Sequence, residues 1–205
     1  MIVGLTGGIA SGKSQVSKIL KKLDYEIVDA DIVAKKISEK SENIEEMKKI
    51  FGNDIVNSGV LDRKLIRERA FEDKTKLNEL NNLLHPQVLE YFKNKKESLK
   101  EDTDGKILIF DVPLLFESHM DRLCDRIMVV SVNYDIQIKR IEVRDGISEE
   151  LAKKMISSQM SLEDKISRAD IVIENNGTLE DLEKRVEKIS QDLKEEVNKN
   201  KKGSK

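Results

Sequence analysis

The sequence predicts a doubly wound α/β fold built on a five-stranded parallel sheet, and three observations carry that expectation. Short apolar runs recur at 1–5, 25–29, 106–111, 126–132 and 170–174, and segments with apolar residues at i, i+3 and i+4 fall between them. The runs at 106–111 and 126–132 are continuous, the pattern of parallel strands covered on both faces. The first run leads through Gly7, Gly8 and Gly12 directly into a helical pattern at 14–23, and in this fold class that junction lies at the carboxyl edge of the sheet, where ligands bind.

The first helix presents Val16, Ile19, Leu20 and Leu23 on one face, and the second strand closes on Asp29-Ala30-Asp31. From Ile32 to about Tyr91 there is no further strand pattern. Helical spacing at 43–51, 62–71 and 74–84, with turn signals at Gly52-Asn53 and Ser58-Gly59, predicts a helical insertion. A helix is expected to restart at Pro86 and run to about Leu99, with the proline in a first turn where its missing N–H costs nothing. Further helices are expected at 134–144, 149–160, 163–169 and from 179 to about 196. The polar, lysine-rich stretch from Asn198 reads as a frayed tail.

The 205 residues suffice for one substantial core, with room for small inserted subdomains. Charged residues make up 37% of the chain, but 37 Lys and Arg nearly balance 39 Asp and Glu. That balance gives no global steering toward nucleic acid, so anion binding must come from a local cluster. A single cysteine, Cys124, excludes an internal disulfide and fits a reducing cytoplasm. It reads as a buried structural thiol, with no histidine or base near it in sequence. No apolar run approaches the ~20 residues of a membrane helix, and no basic segment precedes an apolar one, so a soluble, untargeted chain is expected.

The stretch Gly7-Gly8-Ile9-Ala10-Ser11-Gly12-Lys13-Ser14 completes the pattern G-x-x-x-x-G-K-[ST]. Glycines there let the backbone turn and expose successive N–H groups to a phosphate at a helix N-terminus. Lys13 adds a positive charge for the β- and γ-phosphates, and the Ser14 hydroxyl can ligate Mg²⁺, so a nucleoside triphosphate with Mg²⁺ is the expected ligand across Gly8 to Gln15.

Asp111 ends an apolar strand, where its carboxylate can hold Mg²⁺ or, alternatively, cap the turn into Pro113. Asp31 follows the second strand and belongs to no phosphate motif. It can accept the proton of a substrate hydroxyl or serve as the N-cap of the helix at Ile32, and the two roles are compatible. Asp29 is close enough in sequence to share its site. Arg140 and Arg144 are four residues apart, a spacing that suits an anion clamp or a solvated helix face. Asp102-Thr103-Asp104-Gly105 and Asn94-Lys95-Lys96-Glu97 look like GTPase motifs. The first precedes a strand instead of following one, and the second lies in a lysine-rich helix, so they read as a turn and a solvated face.

Taken together, several motifs resemble the dephospho-coenzyme A kinase family over nearly the whole chain. They are 5–14, Asp29-Ala30-Asp31 with Ala34, Leu61-Asp62-Arg63, His85-Pro86-Gln87-Val88, Asp111-Val112-Pro113-Leu114-Leu115-Phe116-Glu117, Arg140 with Arg144-Asp145, Gln159, Lys165 and 169–177. The resemblance implies a P-loop nucleoside triphosphate hydrolase fold with a core at 1–31, 86–139 and 166–198. It further implies a helical substrate-binding insertion at 32–85, a lid at 140–165 and a disordered tail at 199–205. The implied reaction is ATP-dependent phosphorylation of the ribose 3′-hydroxyl of dephospho-coenzyme A, by a monomer or weak homo-oligomer in the cytoplasm with no nucleic acid or membrane partner. Asp31 is implied as the base, Lys13 and Arg140 as catalytic groups, and Arg140, Arg144 and Asn175 as ATP contacts. Asp29, Arg63, His85 and Asp111 fall on the substrate side. Departures from the family pattern are Gln15 after the loop serine, Lys35 where arginine is common, and Met155 where a lid cation is frequent, with Lys153 or Lys154 as candidates to replace it.

Overall fold

A computed structural model describes residues 1–57, 59–100 and 106–203, without the side chains of 100 and 200–203. Ser58 of the expected turn and the Asp102–Gly105 lookalike lie outside the described residues. In chain order the elements are β1 (Ile2–Gly7), α1 (Lys13–Lys22), β2 (Glu26–Asp29), α2 (Ala30–Ser38), α3 (Ser41–Phe51), β3 (Val56–Asn57), β4 (Val60–Leu61), α4 (Arg63–Glu72), α5 (Lys74–Lys100), β5 (Leu108–Asp111), β6 (Arg126–Ser131), α6 (Tyr134–Asp145), α7 (Glu149–Ser157), α8 (Leu162–Ser167), β7 (Ile171–Glu174) and α9 (Leu179–Gly203). Two compact units emerge, Met1–Asp29 with Lys96–Lys205, and Ala30–Lys95.

The first unit holds a fully parallel sheet in the order β2-β5-β1-β6-β7, the five strands expected. From β1 the chain crosses to the edge strand β2 and returns to β5, which lies between them, and it then passes to the other side of β1 for β6 and β7. The carboxyl end of β1 is therefore the point where strand order reverses, the natural ligand crevice of such sheets. Register fixes what meets there, because Asp111 of β5 is paired with Leu5 of β1 on one side and Asp29 of β2 on the other.

Period-two alternation divides the sheet's faces. Val3, Leu5, Ile109, Met128, Val130 and Ile173 pack with Val16, Ile19 and Leu20 of α1 and with Leu182, Val186 and Leu193 of α9. The long α9, outlasting its expected end near residue 196, is fastened by the buried Tyr25 hydroxyl, which lies 2.8 Å from Ser190 Oγ. On the opposite face Gly4 leaves room for Cys124, whose Sγ would lie 2.7 Å from a Cβ at that position. Burial pushes the Cys124 thiol up to about 12, which makes it the inert thiol the sequence implied.

The second unit has its own core of Met47, Phe51, Ile55, Leu61, Ile66 and Ala70. Arg69 ties it together: its guanidinium forks onto Asp54 at 2.7 and 2.6 Å and also donates to the Phe51 carbonyl at the end of α3. Asp62 caps α4 by accepting from Leu65 N at 3.0 Å.

Two expectations change here. A short antiparallel hairpin, β3–β4, interrupts the helical insertion; two residues per strand are too few for an alternating pattern. And α5 runs unbroken through Pro86. The proline removes one i→i−4 bond, to the carbonyl of Asn82, an exposed residue where water can substitute. One residue later Gln87 donates to Leu83 O at 2.9 Å and exchanges amide hydrogen bonds with Asn43 at 2.8 and 3.0 Å, while Val88 and Phe92 are buried beyond it. Packing carries the helix past its own breaker.

Candidate active site

Between β1 and α1 the backbone reverses tightly. Ser11 N donates to Gly8 O at 3.1 Å, Ala10 has a positive φ of 55° and Gly12 one of 95°. A Cβ at Gly12 would collide with Asn175 Nδ2, so both its conformation and its crowding demand glycine.

The loop's outward carbonyls are held by side chains from the far end of the chain. The Ile9 carbonyl accepts from Gln137 Nε2 at 2.7 Å, and the Ser11 carbonyl accepts from Asn175 Nδ2 at 2.8 Å and Arg140 at 3.5 Å. Arg140 also donates to Asn175 O at 3.0 Å. The N–H groups of Ile9, Ala10, Gly12, Lys13 and Ser14 have no acceptor among the described residues. A loop with its carbonyls occupied and several N–H groups left at a helix N-terminus is an anion cradle.

Lys13 adds its ammonium group and is ion-paired with Asp111. The loop's apolar side chains face the other way: Ile9 and Ala10 pack on a cluster formed by Ile138, Ile141 and Ala152, with Met155 and Ile156 alongside. Met155 therefore contributes apolar packing, Lys153 is paired with Glu149 at 2.6 Å, and Lys154 stays exposed.

The segment after Asp111 is pinned from two sides. Thr6 Oγ1 donates to Pro113 O at 2.9 Å, and fully buried Lys165 reaches Glu117 Oε1 at 2.9 Å and Pro113 O at 3.4 Å. Met160 N donates to the same Glu117 oxygen at 3.2 Å.

In the helical unit a cavity of ≈ 590 Å³ is lined by Asp31, Lys35, Arg63, Arg67 and Phe71 over apolar residues that include Met47 and Leu80. Three cations against one carboxylate on its wall suit an anionic guest. Arg63 is oriented by bonds to Ser38 Oγ at 3.0 Å and Glu39 at 2.9 Å. Asp31 lies in the first turn of α2, which begins at Ala30, so the cap position expected for it is not where it stands.

Several sequence-derived sites are thus placed differently from expectation. Arg144 is exposed and forks onto its neighbour Asp145 at 2.8 Å through both Nε and Nη2, so it does not join Arg140 as a clamp. The pair holds the Asp145 carboxyl below its ordinary range and raises the guanidinium further. Asn175 reaches the loop backbone, donating to the Ser11 carbonyl. His85 is exposed on α5 and does not line the cavity. Ser14 and Gln15 are exposed at the first turn of α1, Asp111 is buried, and Asp29 sits beside it in register. Sequence reasoning missed Gln137. Its one signal was a glutamine at the start of a helix whose adjoining positions 138 and 141 are apolar.

The residues that would hold Mg²⁺ are Ser14 and Asp111, a hydroxyl and a carboxylate. Both are hard oxygen donors, and so small a set suits an ion that keeps waters and shares substrate phosphates. No cluster of three His, Cys, Asp or Glu able to hold a metal occurs among the described residues.

Comparison with known proteins agrees across sequence and fold. A family model described as dephospho-CoA kinase matches residues 1–181. A dephospho-CoA kinase of Fusobacterium nucleatum is 51% identical over 194 residues, covering 94% of this chain and 98% of that one, and one of Listeria innocua is 41% identical, covering 90% and 92%. Among solved structures, the dephospho-CoA kinase from Campylobacter jejuni superposes with a TM-score of 0.76 at 29% identity, covering 94% of this chain and 96% of that one.

Proposed function

The chain belongs to the dephospho-CoA kinase family, and from that premise we propose how its residues divide the reaction. Its function is the ATP-dependent phosphorylation of dephospho-CoA in coenzyme A biosynthesis.

In the proposed mechanism the triphosphate of ATP is bound by the loop from Gly8 to Gln15. The observation that carries this half is the set of unengaged N–H groups, held open because the intervening carbonyls are occupied by Gln137, Asn175 and Arg140. Lys13 turns from Asp111 toward the β- and γ-phosphates, and Arg140, already against the loop, adds charge beside them. Ser14 and Asp111 would hold Mg²⁺, which supplies neutralisation of phosphate charge.

The acceptor half is assigned to the cavity of the helical unit, where Lys35, Arg63 and Arg67 suit the diphosphate of dephospho-CoA. There Asp31 accepts the proton of the ribose 3′-hydroxyl as its oxygen attacks the γ-phosphorus and ADP leaves. Asp29, beside Asp111, belongs to the same reacting region in this scheme. Segment 140–165 acts as a lid that limits water. No helix among the described residues is long and apolar enough to cross a membrane, and with its single cysteine the enzyme is assigned to the cytoplasm as a monomer or weak homo-oligomer acting on small molecules.

The test is product mass after incubation with ATP and dephospho-CoA, compared with nucleosides and nucleoside monophosphates. Dephospho-CoA gains one phosphate in the expected outcome; phosphorylation of nucleotides alone overturns the acceptor. For the base, Asp31→Asn is expected to lower kcat roughly 10²- to 10⁴-fold with both substrates still bound. Near-normal turnover removes Asp31 from that role.

A further inference from the structure

We infer that Gln137 is a positioning residue for the phosphate loop: by holding the Ile9 carbonyl outward, it sets the loop path on which ATP affinity depends.

Gln137 lies in the first turn of α6, only 2% exposed. Its amide Nε2 donates to Ile9 O at 2.7 Å, across 128 residues of sequence. The same nitrogen is the wall against which Gly8 turns, since a Cβ at Gly8 would lie 2.9 Å from it. One helical turn later on α6, Arg140 reaches Ser11 O. A single helix face thus addresses two alternate carbonyls of one loop.

Packing alone does not account for a glutamine at this position. Ile138 and Ile141 already anchor α6 in the apolar cluster that also receives Ile9 and Ala10. A buried amide among them carries a desolvation cost that only its hydrogen bonds return. What that bond fixes is local: with the Ile9 carbonyl held away, the Ala10 N–H of the same planar peptide unit is kept from rotating out of the cradle. Peptide rotation would replace donors by acceptors facing a phosphate, a reversal of sign at the anion.

The inference rests on the loop binding ATP phosphates, and the experiment separates the two claims. ATP and inorganic tripolyphosphate affinities of the wild-type enzyme are measured by titration calorimetry, and steady-state constants are measured for both substrates. Failure of the wild type to bind either anion refutes the loop assignment itself. With binding established, Gln137→Met, close in volume and without a donor, is expected to raise Kd and KM for ATP at least tenfold. KM for dephospho-CoA and the melting temperature of the nucleotide-free protein should be preserved. Gln137→Asn, which keeps the amide but shortens its reach, should show the same split and supplies the test should the methionine variant not fold. Gly8→Ala gives an independent readout. The added methyl presses on the amide, so the ATP-affinity losses of Gly8→Ala and Gln137→Ala should be clearly less than additive in the double variant. Wild-type ATP affinity in the foldable Gln137 variant, equal losses for both substrates, or additive losses in the cycle would each overturn the positioning role.

Discussion

Lys13 and Asp111, 98 residues apart in sequence, form an ion pair in the sheet unit, with the lysine side chain 19% and the carboxylate only 3% exposed. Each is a group that ATP and its metal are proposed to use, so in the nucleotide-free chain they neutralise one another. Removing the lysine leaves a buried carboxylate without its cation. Lys13→Met should therefore cost roughly 3 kcal/mol of stability in addition to abolishing transfer. Lys13→Met/Asp111→Asn should regain most of that stability and none of the activity. Urea unfolding of the three proteins without nucleotide checks both statements, and equal stability of Lys13→Met and wild type would show the pair to be energetically idle.

A second buried pair supports the segment between Asp111 and Glu117. Lys165 is fully buried, and Glu117 Oε2 has no hydrogen-bond partner among the described residues, so the pair leans on the remaining oxygen. Lys165→Met is expected to destabilise by about 3–5 kcal/mol, because Glu117 is left charged in a poorly solvated place. Adding Glu117→Gln should recover part of the loss. Thermal melts of the single and double variants measure the coupling, and strict additivity would contradict it.

Cys124 gives a prediction about pH. Its thiol is pushed up to about 12 by burial, from an ordinary value of 9.0. A raised folded-state value means the contribution is complete below pH 9 and is lost as pH climbs from 9 toward 12, where the unfolded chain releases the proton first. Alkaline unfolding should thus move to higher pH in Cys124→Ala, provided the small cavity is tolerated at neutral pH. Because burial disfavours the thiolate, iodoacetamide should label the native enzyme far more slowly than the unfolded chain. Rapid stoichiometric labelling of native protein would contradict the burial.

Strands, their parallel pairing and the phosphate loop were legible in the residues because each leaves a local trace: an apolar run, a glycine spacing, a helical period. What stayed hidden depends on partners remote in sequence. Pro86 reads as a start because the breaker is local, whereas the Asn43–Gln87 amide exchange that sustains the helix joins residues 44 apart. Arg144 reads as half of a clamp by its spacing from Arg140, yet the adjacent Asp145 competes for it at shorter reach. Gln137 belongs to no motif, and Asn175, placed near ATP only by the resemblance over 169–177, carries no local sign of the loop carbonyl it holds. Asp31 was found by its place after β2; the cations that share its cavity come from α2 and α4 and had no common pattern.

The central position of β1 also has a consequence in time. Its two neighbours, β5 and β6, begin more than a hundred residues downstream, and the side chains that hold its loop come from Gln137, Arg140 and Asn175. Such remote pairing closes long loops before any contact rewards it, which slows folding. During synthesis the nucleotide-binding motif emerges before both strands that flank β1 and is completed only after them. A nascent chain stalled before residue 175 would display the whole glycine-rich signature, yet lack the anchors that give the signature its shape.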